Sequence, residues 1–184
     1  KHSNIENEDA LEFLEDNIPL FECPDENFQR TWYFRWWTYR KHVKQTPDGY
    51  VVTEFAPKVG WAMKHNAISC PSGHQIREGR WLANSKLVND YTRFWLIDGG
   101  DTDRYSTWLA DSFLALQKVH LNKAECDEIL PNLVLNFENW EKAKLRENGL
   151  FWQGEGQDGM ECAIGGRGER PTINSYMYGN AVAI

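Results

Sequence analysis

The sequence predicts an all-α domain in which helical hairpins stack side by side. Two observations in its second half predict this fold class. Apolar residues recur at intervals of three and four residues in successive segments, which indicates amphipathic helices. The joints between these segments are only a few residues long, so neighbouring helices are expected to run antiparallel. A third observation is that no Gly-x-Gly-x-x-Gly turn follows a strand, which argues against a dinucleotide-binding α/β fold.

The first half contains two predicted helices and one strand-like segment. Its elements, in order, are a helix over 8–18, a helix over 27–43, a turn at 47–49, a strand-like segment over 50–55 and an irregular stretch over 57–73. The first helix ends before Pro19, and Asp25 is a suitable N-cap for the second. The second helix is crowded with aromatic residues, which requires a broad packing partner.

The second half contains five predicted helices and one long loop. The helices are expected over 74–82, 87–97, 106–120 and 125–145, with a last one from Thr172. Pro131 fits the first turn of a helix that begins near Leu130. The loop over 151–171 contains six glycines. Loops of about 20 residues within a compact domain are usually functional, so this loop is the first candidate site.

Composition limits the classes of partner. The 184 residues include 20 basic and 27 acidic side chains, a net charge of −7, and 14% are aromatic. These values fit one ordered domain. Nucleic acid and anionic membrane surfaces are held by clustered positive charge, which is absent, so we expect neither as a partner. No run of about 18 apolar residues predicts a membrane helix. Neutral and cationic ligands remain open.

The four cysteines lie far apart and form no Cys-x-x-Cys pair, so they predict no metal site. Ordinary buried thiols and disulfides of an exported protein both remain open, and the redox compartment is undetermined.

The long loop carries three carboxylates, Glu155, Asp158 and Glu161, within seven residues and close to Trp152. Glycoside hydrolysis needs a carboxyl group that stays protonated, and an aromatic wall both raises its pKa and stacks on a sugar ring. A solvated acidic turn or a cation site is the alternative, although the calcium-loop ligand series is absent. No Gly-x-Ser-x-Gly elbow or phosphate-binding loop is present either.

Two further segments contain candidate sugar-binding side chains. Residues 32–42 hold six aromatic residues and two arginines, which suit pyranose stacking and hydroxyl binding, or else a core helix of a large all-α protein. Residues 58–81 contain two histidines, His65 and His74, whose spacing matches no zinc motif. Histidines packed under a loop and a solvated charged face are the alternatives for this segment.

Four motifs carry a resemblance to a known family. They are Tyr33-Phe34-Arg35-Trp36-Trp37-Thr38-Tyr39-Arg40-Lys41-His42, Gly73-His74-Gln75-Ile76-Arg77-Glu78-Gly79-Arg80-Trp81, Asp158-Gly159-Met160-Glu161 and Arg170-Pro171-Thr172-Ile173-Asn174-Ser175-Tyr176-Met177-Tyr178-Gly179. Residues 27–184 resemble the first half of bacterial six-hairpin glycosidase domains of the trehalase-like, mannosylglycerate-hydrolase-like and rhamnosidase-related kind. The resemblance implies an (α/α)6 toroid, of which about three hairpins with long functional loops are present.

The resemblance also implies catalytic roles. These enzymes place a general acid in a Glu-Ser-Gly-Met-Asp type motif, whose last four residues align with 158–161, so Glu161 takes the position of the acid. This sequence has Glu where the family usually has Asp, and Asp158 is the alternative acid. The general base has no matching motif and is expected beyond Ile184. By analogy the enzyme would invert configuration and act at the end of a glycan chain.

We therefore expect a glycoside hydrolase without metal or cofactor that acts on an oligo- or polysaccharide. The residues expected to bind substrate are Trp36, Trp37, Arg40, Trp61, Lys64, His65, His74, Arg77 and Trp152. A non-catalytic carbohydrate-binding or scaffold protein on the same helices is the alternative. A third hypothesis is an all-α interaction module whose aromatic residues are only core.

Residues 1–184 are expected to form the N-terminal half of one catalytic domain. A half-ring would expose two apolar edges, and several hundred Å² of uncovered apolar surface would cost on the order of 10 kcal/mol. The segment alone is therefore expected to be neither stable nor active, and to occur with the rest of the domain or with a second copy. The sequence does not identify a compartment, and a secreted or periplasmic location would fit polymer-degrading relatives.

Overall fold

A computed structural model describes residues 3–162 and 165–184, and this part of the chain is mainly helical. Its helices are α1 (Ala10–Asn17), α2 (Glu26–His42), α3 (Ser72–Gly79), α4 (Lys86–Leu96), α5 (Leu109–Gln117), α6 (Lys123–Lys144) and α7 (Pro171–Ala183). Helix α1 packs against α2, α3 against α4 and α5, and α5 against α6 and α7. The predicted all-α class is confirmed.

A small antiparallel sheet interrupts the helices near the N-terminus. Its strands are β1 (Ser3–Asn4), β2 (Val43–Thr46) and β3 (Gly49–Val52), in the order β1-β2-β3. The strand-like segment expected over 50–55 corresponds to β3, whereas β2 was not predicted. Helix α2 ends where Val43 turns to extended backbone, and both Val43 and its partner Val52 are buried. The sheet packs on α4 through β3.

The main hydrophobic core lies where α2, the β2–β3 hairpin, α3, α4 and α5 meet. Its fully buried side chains include Ile76, Val88, Tyr91, Phe94 and Leu116. Burial of each large apolar side chain contributes about 1.5–3 kcal/mol. A second, smaller core holds α6, the long loop and α7 together and consists of Trp140, Phe151, Ile173 and Met177.

Helix α5 begins three residues later than predicted because the residues before it are bonded elsewhere. The amide of Ser106 donates to the Gln157 carbonyl at 2.9 Å, and the Thr107 carbonyl accepts from Asn180 Nδ2 at 3.2 Å. These bonds tie the segment to the long loop and to α7. They therefore fix the position of the loop relative to α5.

Helix α6 lies within two residues of the predicted range 125–145 and does not begin near Leu130, where Pro131 would fit a first turn. It runs unbroken from Lys123, and Asn122 caps it by accepting from the Glu125 amide at 3.3 Å. A proline within a helix removes one backbone hydrogen bond. Pro131 lies on the exposed face of α6, where water can satisfy the freed carbonyl.

All four cysteines are free thiols, three of them partly buried and Cys162 exposed. Within residues 3–162 and 165–184, no helix combines the length and hydropathy that crossing a bilayer requires.

Candidate functional site

The long glycine-rich loop is closed at its neck by a two-residue bridge. Gln153 and Gly168 exchange backbone hydrogen bonds of 2.9 and 3.1 Å. Beyond the neck the chain makes one 3-10 turn, Gly156–Asp158, which leads to Glu161. The loop therefore has a defined path over its described residues rather than that of a free linker.

A buried ion pair holds the centre of this loop. Arg170 Nε, at the start of α7, donates to Asp158 Oδ2 at 2.9 Å, and the Asp158 side chain is 0% exposed. The other carboxylate oxygen of Asp158 is buried with no partner among the described residues. A second donor of Arg170 binds the Gly166 carbonyl. The pair thus fixes the loop at a point three residues before Glu161.

Gly159 links the buried Asp158 to the exposed Glu161 through backbone that only glycine adopts readily. Its φ is +69°, and a Cβ at this position would lie 3.0 Å from Cys70 Sγ. A side chain there would both strain the backbone and press on the thiol. This glycine therefore directs the chain from the core into the cleft described below.

We expect Gly159→Ala to destabilise the protein by about 1–2 kcal/mol, since this is the cost of a left-handed conformation for an L-residue. The fall is measured as a lower denaturation midpoint in urea. Gly156→Ala is the matched control, because no atom lies within 4 Å of a Cβ there and its φ is not positive. Equal effects of the two substitutions would contradict the explanation.

Glu161 lies in a cleft of about 400 Å³, here named the acidic cleft. Its walls come from the segment after β3, from residues before α3 and α5, and from the loop. They are formed by Glu54, Phe55, Trp61, Ile68, Cys70, Tyr105, Gly159 and Glu161. Two carboxylates and three aromatic rings line the cleft, and no lysine or arginine does.

The acidic cleft favours protonated side chains. Burial, and then the negative charge of Glu161, raise the pKa of Glu54. Burial likewise raises the pKa of the Cys70 thiol to about 11, with contributions from both glutamates. Nearby negative charge and partial desolvation are the conditions that keep a proton on a carboxyl group near neutral pH.

One asparagine side chain shapes the wall that carries Phe55 and Trp61. The Asn66 amide accepts from the Val59 amide at 2.9 Å and donates to the carbonyls of Phe55 and Pro57 at 2.9 and 3.0 Å. Asn66 and its neighbour His65 both adopt left-handed backbone, with φ of 63° and 58°. Such conformations cost about 1–3 kcal/mol each and persist only where surrounding contacts enforce them.

Of the predicted site residues, Glu161 and Trp61 come together in the acidic cleft. The Trp61 ring is 54% exposed and meets the Phe55 ring edge to face, with centroids 5.8 Å apart. Glu161 is exposed, whereas Asp158, the alternative acid, lies in the buried ion pair. Geometry thus gives a substrate access to Glu161 and not to Asp158.

Three other predicted residues of the first half are engaged in structural contacts. Arg40 is buried at 1% exposure and binds the backbone carbonyls of Ile5 and Glu6. Lys64 and His65 both contact Asp48, at 2.6 and 2.5 Å, in the turn between β2 and β3. Hydrogen bonds from these two side chains lower the pKa of Asp48.

Trp37 and Trp152 lie outside the described walls of the acidic cleft. Trp37 stacks on Phe34 and receives the ammonium of Lys41 over its ring at 3.7 Å. The cationic groups of Lys144 and Arg146 each lie 5.3 Å from the ring centroid of Trp152.

The remaining predicted residues, Trp36, His74 and Arg77, line a second cavity of about 460 Å³ formed by α2, α3 and the start of α5. We name it the tryptophan pocket. Its walls are Trp32, Arg35, Trp36, His74, Arg77, Glu78, Arg80, Trp81 and Trp108. Arg77 binds Asp111 at 2.8 Å, the His74 and Trp108 ring centroids are 4.3 Å apart, and burial lowers the pKa of His74.

A middle hollow of about 340 Å³ lies between the acidic cleft and the tryptophan pocket. It shares Glu54 with the acidic cleft. It shares Arg35, His74 and Glu78 with the tryptophan pocket. The three cavities therefore follow one another along the surface.

Sequence reasoning missed Glu54, Phe55 and Tyr105 as walls of the acidic cleft. The first two follow a short strand, and no periodicity or motif marks their approach to a loop more than 100 residues later. In residues 3–162 and 165–184, no group of three or more His, Cys, Asp or Glu side chains is arranged to hold a metal ion.

Comparison with known proteins gives two findings. A family model described as a mannosylglycerate hydrolase MGH1-like glycoside hydrolase domain matches residues 64–184. A solved structure titled "Sialidase" superposes with a TM-score of 0.92 at 44% sequence identity, over 97% of this chain and 17% of that chain. The chain thus spans about a sixth of that protein. No curated protein matched the sequence.

Proposed function

Because the chain belongs to the MGH1-like family of glycoside hydrolases, as its resemblance to (α/α)6 glycosidases predicted, we propose that a glycosidic bond is hydrolysed in the acidic cleft. The observation that carries this proposal is the shared cleft of Glu161 and Glu54, lined by Trp61 and Tyr105. Aromatic rings stack on pyranose faces, and a protonated carboxyl group is what a departing sugar oxygen needs.

In this proposal Glu161 donates the proton to the glycosidic oxygen. Its position matches the acid of the related motif, and it is exposed to the cleft. Burial, and then the negative charge of Glu161, raise the pKa of Glu54, so the cleft holds a carboxyl group that favours its protonated form beside Glu161. In this proposal Glu54 is the neighbour from which Glu161 regains its proton.

The general base is proposed to come from the rest of the catalytic domain, beyond Ile184. The reaction would then be inverting, with water activated on the opposite face of the sugar, and would act at the end of a glycan chain. Two carboxylates and no lysine or arginine line the acidic cleft, and these surroundings would stabilise the positive charge of an oxocarbenium-like transition state.

The test is hydrolysis by the complete protein of a panel of oligosaccharides, followed by proton NMR of the released sugar. We expect a monosaccharide product whose anomeric signal is first opposite to that of the substrate linkage. Retention of configuration would overturn the inverting mechanism. Binding without cleavage across the panel would instead favour the non-catalytic carbohydrate-binding alternative.

A further inference from the structure

The tryptophan pocket has the chemistry of a binding site that the proposed reaction does not use. Trp81 and Trp32 offer indole surface to it, with Trp81 45% exposed. Its walls contain three guanidinium groups and only one carboxylate, that of Glu78. On a chain with a net charge of −7, this is a local excess of positive charge.

The three arginines differ in how their charge is compensated. Arg35 donates from Nη2 to both carboxylate oxygens of Glu78, at 2.7 and 3.0 Å, and Arg77 binds Asp111. Arg80 donates to the Arg77 carbonyl and stacks on Trp81 at 4.6 Å, but forms an ion pair with no described carboxylate.

Burial, and then the charge of Arg77, lower the pKa of Arg80, and the charge of Asp111 opposes this shift. Because the Arg80 guanidinium lines the pocket and has no ion-pair partner among the described residues, an anion in the pocket would gain a charge-assisted hydrogen bond from it.

We propose that the tryptophan pocket binds a carboxylate-bearing sugar residue of the glycan, with Trp81 stacking on the ring and Arg80 binding the carboxylate. This inference rests on the proposed glycosidase function. The middle hollow, with Glu54 on one side and Arg35, His74 and Glu78 on the other, provides the path between this residue and the bond that is cleaved. The substrate class is then an acidic oligosaccharide.

The opposite charge of the two end cavities supports this assignment. Glu54 and Glu161 would repel a sugar carboxylate in the acidic cleft, whereas the arginines attract it in the tryptophan pocket. A glycan with one carboxylate-bearing sugar would therefore bind in a single position, with that sugar in the tryptophan pocket. The attraction should weaken as salt is added.

The test measures binding by titration calorimetry to the complete protein carrying Glu161→Gln, so that turnover does not consume the ligand. The probes are trisaccharides that contain one uronate, each paired with its carboxyl-reduced counterpart. We expect the acidic members to bind about tenfold more tightly, the effect of one charge-assisted hydrogen bond. Equal affinity for the acidic and reduced members, or no binding of the acidic members, would overturn the proposal.

Two substitutions and two matched controls assign the effect to the pocket. Arg80→Gln should remove the preference for the acidic member, and Trp81→Ala should weaken both members of a pair. Arg30→Gln and Phe28→Ala, exposed on α2 and outside the three cavities, should change neither affinity. If the pocket instead holds another part of the same protein, Arg80→Gln and Trp81→Ala will lower thermal stability and leave both affinities unchanged, which overturns the proposal.

Hydrolysis is measured separately from binding. Equal affinity for the acidic and the carboxyl-reduced trisaccharides, together with normal hydrolysis, would reject only this inference. Charge-selective binding without hydrolysis would reject only the catalytic proposal.

Discussion

In the complete protein, Glu161→Gln is expected to lower kcat on a glycoside with a poor leaving group by about 10²- to 10⁴-fold, the usual contribution of a general acid. The amide has nearly the shape of the carboxyl group but cannot supply the proton. Glu161 is exposed in the acidic cleft and forms no ion pair with another described residue, so stability should change little. Steady-state kinetics with a natural oligosaccharide measures the loss.

Substrates with different leaving groups show whether Glu161 acts as the proton donor or in another role. From a 2,4-dinitrophenyl glycoside the phenolate leaves as a stable anion when the C1–O bond breaks and needs no proton, so Glu161→Gln should cleave this substrate at close to the normal rate. Removing the charge of Glu161 should also let the pKa of Glu54 fall towards its ordinary value, because that charge helps to raise it. A uniform loss on both substrates would remove Glu161 from the role of acid.

Asp158→Asn is expected to produce the opposite pattern. It leaves Arg170 buried without its carboxylate, and breaking a buried ion pair costs about 3–5 kcal/mol. Hydrogen exchange of the amides from Gly154 to Glu161 in the complete protein should speed up, since the loop loses its central anchor. Activity should fall with both kinds of leaving group because the loop that carries Glu161 moves.

The control for this second prediction is a surface ion pair of the same chain. Arg93 binds Glu128, whose side chain is 50% exposed, and such pairs are worth about 0–1 kcal/mol. Glu128→Gln should therefore leave the exchange rates of the loop unchanged. Three results together would identify Asp158 as the acid instead. In Asp158→Asn the loop amides would keep their normal protection from exchange, the dinitrophenyl glycoside would be cleaved at the normal rate, and kcat on the oligosaccharide with a poor leaving group would fall.

Local sequence features were enough to predict the helices. The apolar period of α4 predicted 87–97, within one residue of Lys86–Leu96, because one face of that helix packs on the core. Helix α6 was predicted over 125–145 and runs over Lys123–Lys144, and the exposed position of Pro131 lets the helix continue through that residue. The β2 strand was missed because its pairing with β3 depends on burial of Val43 against the core.

The only part of the candidate catalytic site that could be predicted from the sequence was the part that belongs to a recognisable motif. The Asp-Gly-Met-Glu motif pointed to Glu161, but the acidic cleft also needs Glu54, which approaches from the end of a distant strand. Arg40, Lys64 and His65 have the chemistry of ligand-binding residues, yet hydrogen bonds to the backbone or to Asp48 engage them. Sequence alone cannot tell a side chain that awaits a ligand from one whose partner is elsewhere in the fold.

The Asn66 amide gives this protein a practical route to altered specificity. Its three bonds reach only main-chain atoms, so they do not depend on which side chains the held segment carries. A library randomised at Phe55 and Trp61, which both line the acidic cleft, would vary the surface offered to the incoming sugar while the main chain over 55–66 keeps its course. Selection for a new sugar specificity should therefore succeed more readily in the segment 55–66 than in the glycine-rich loop, whose path also determines the position of Glu161.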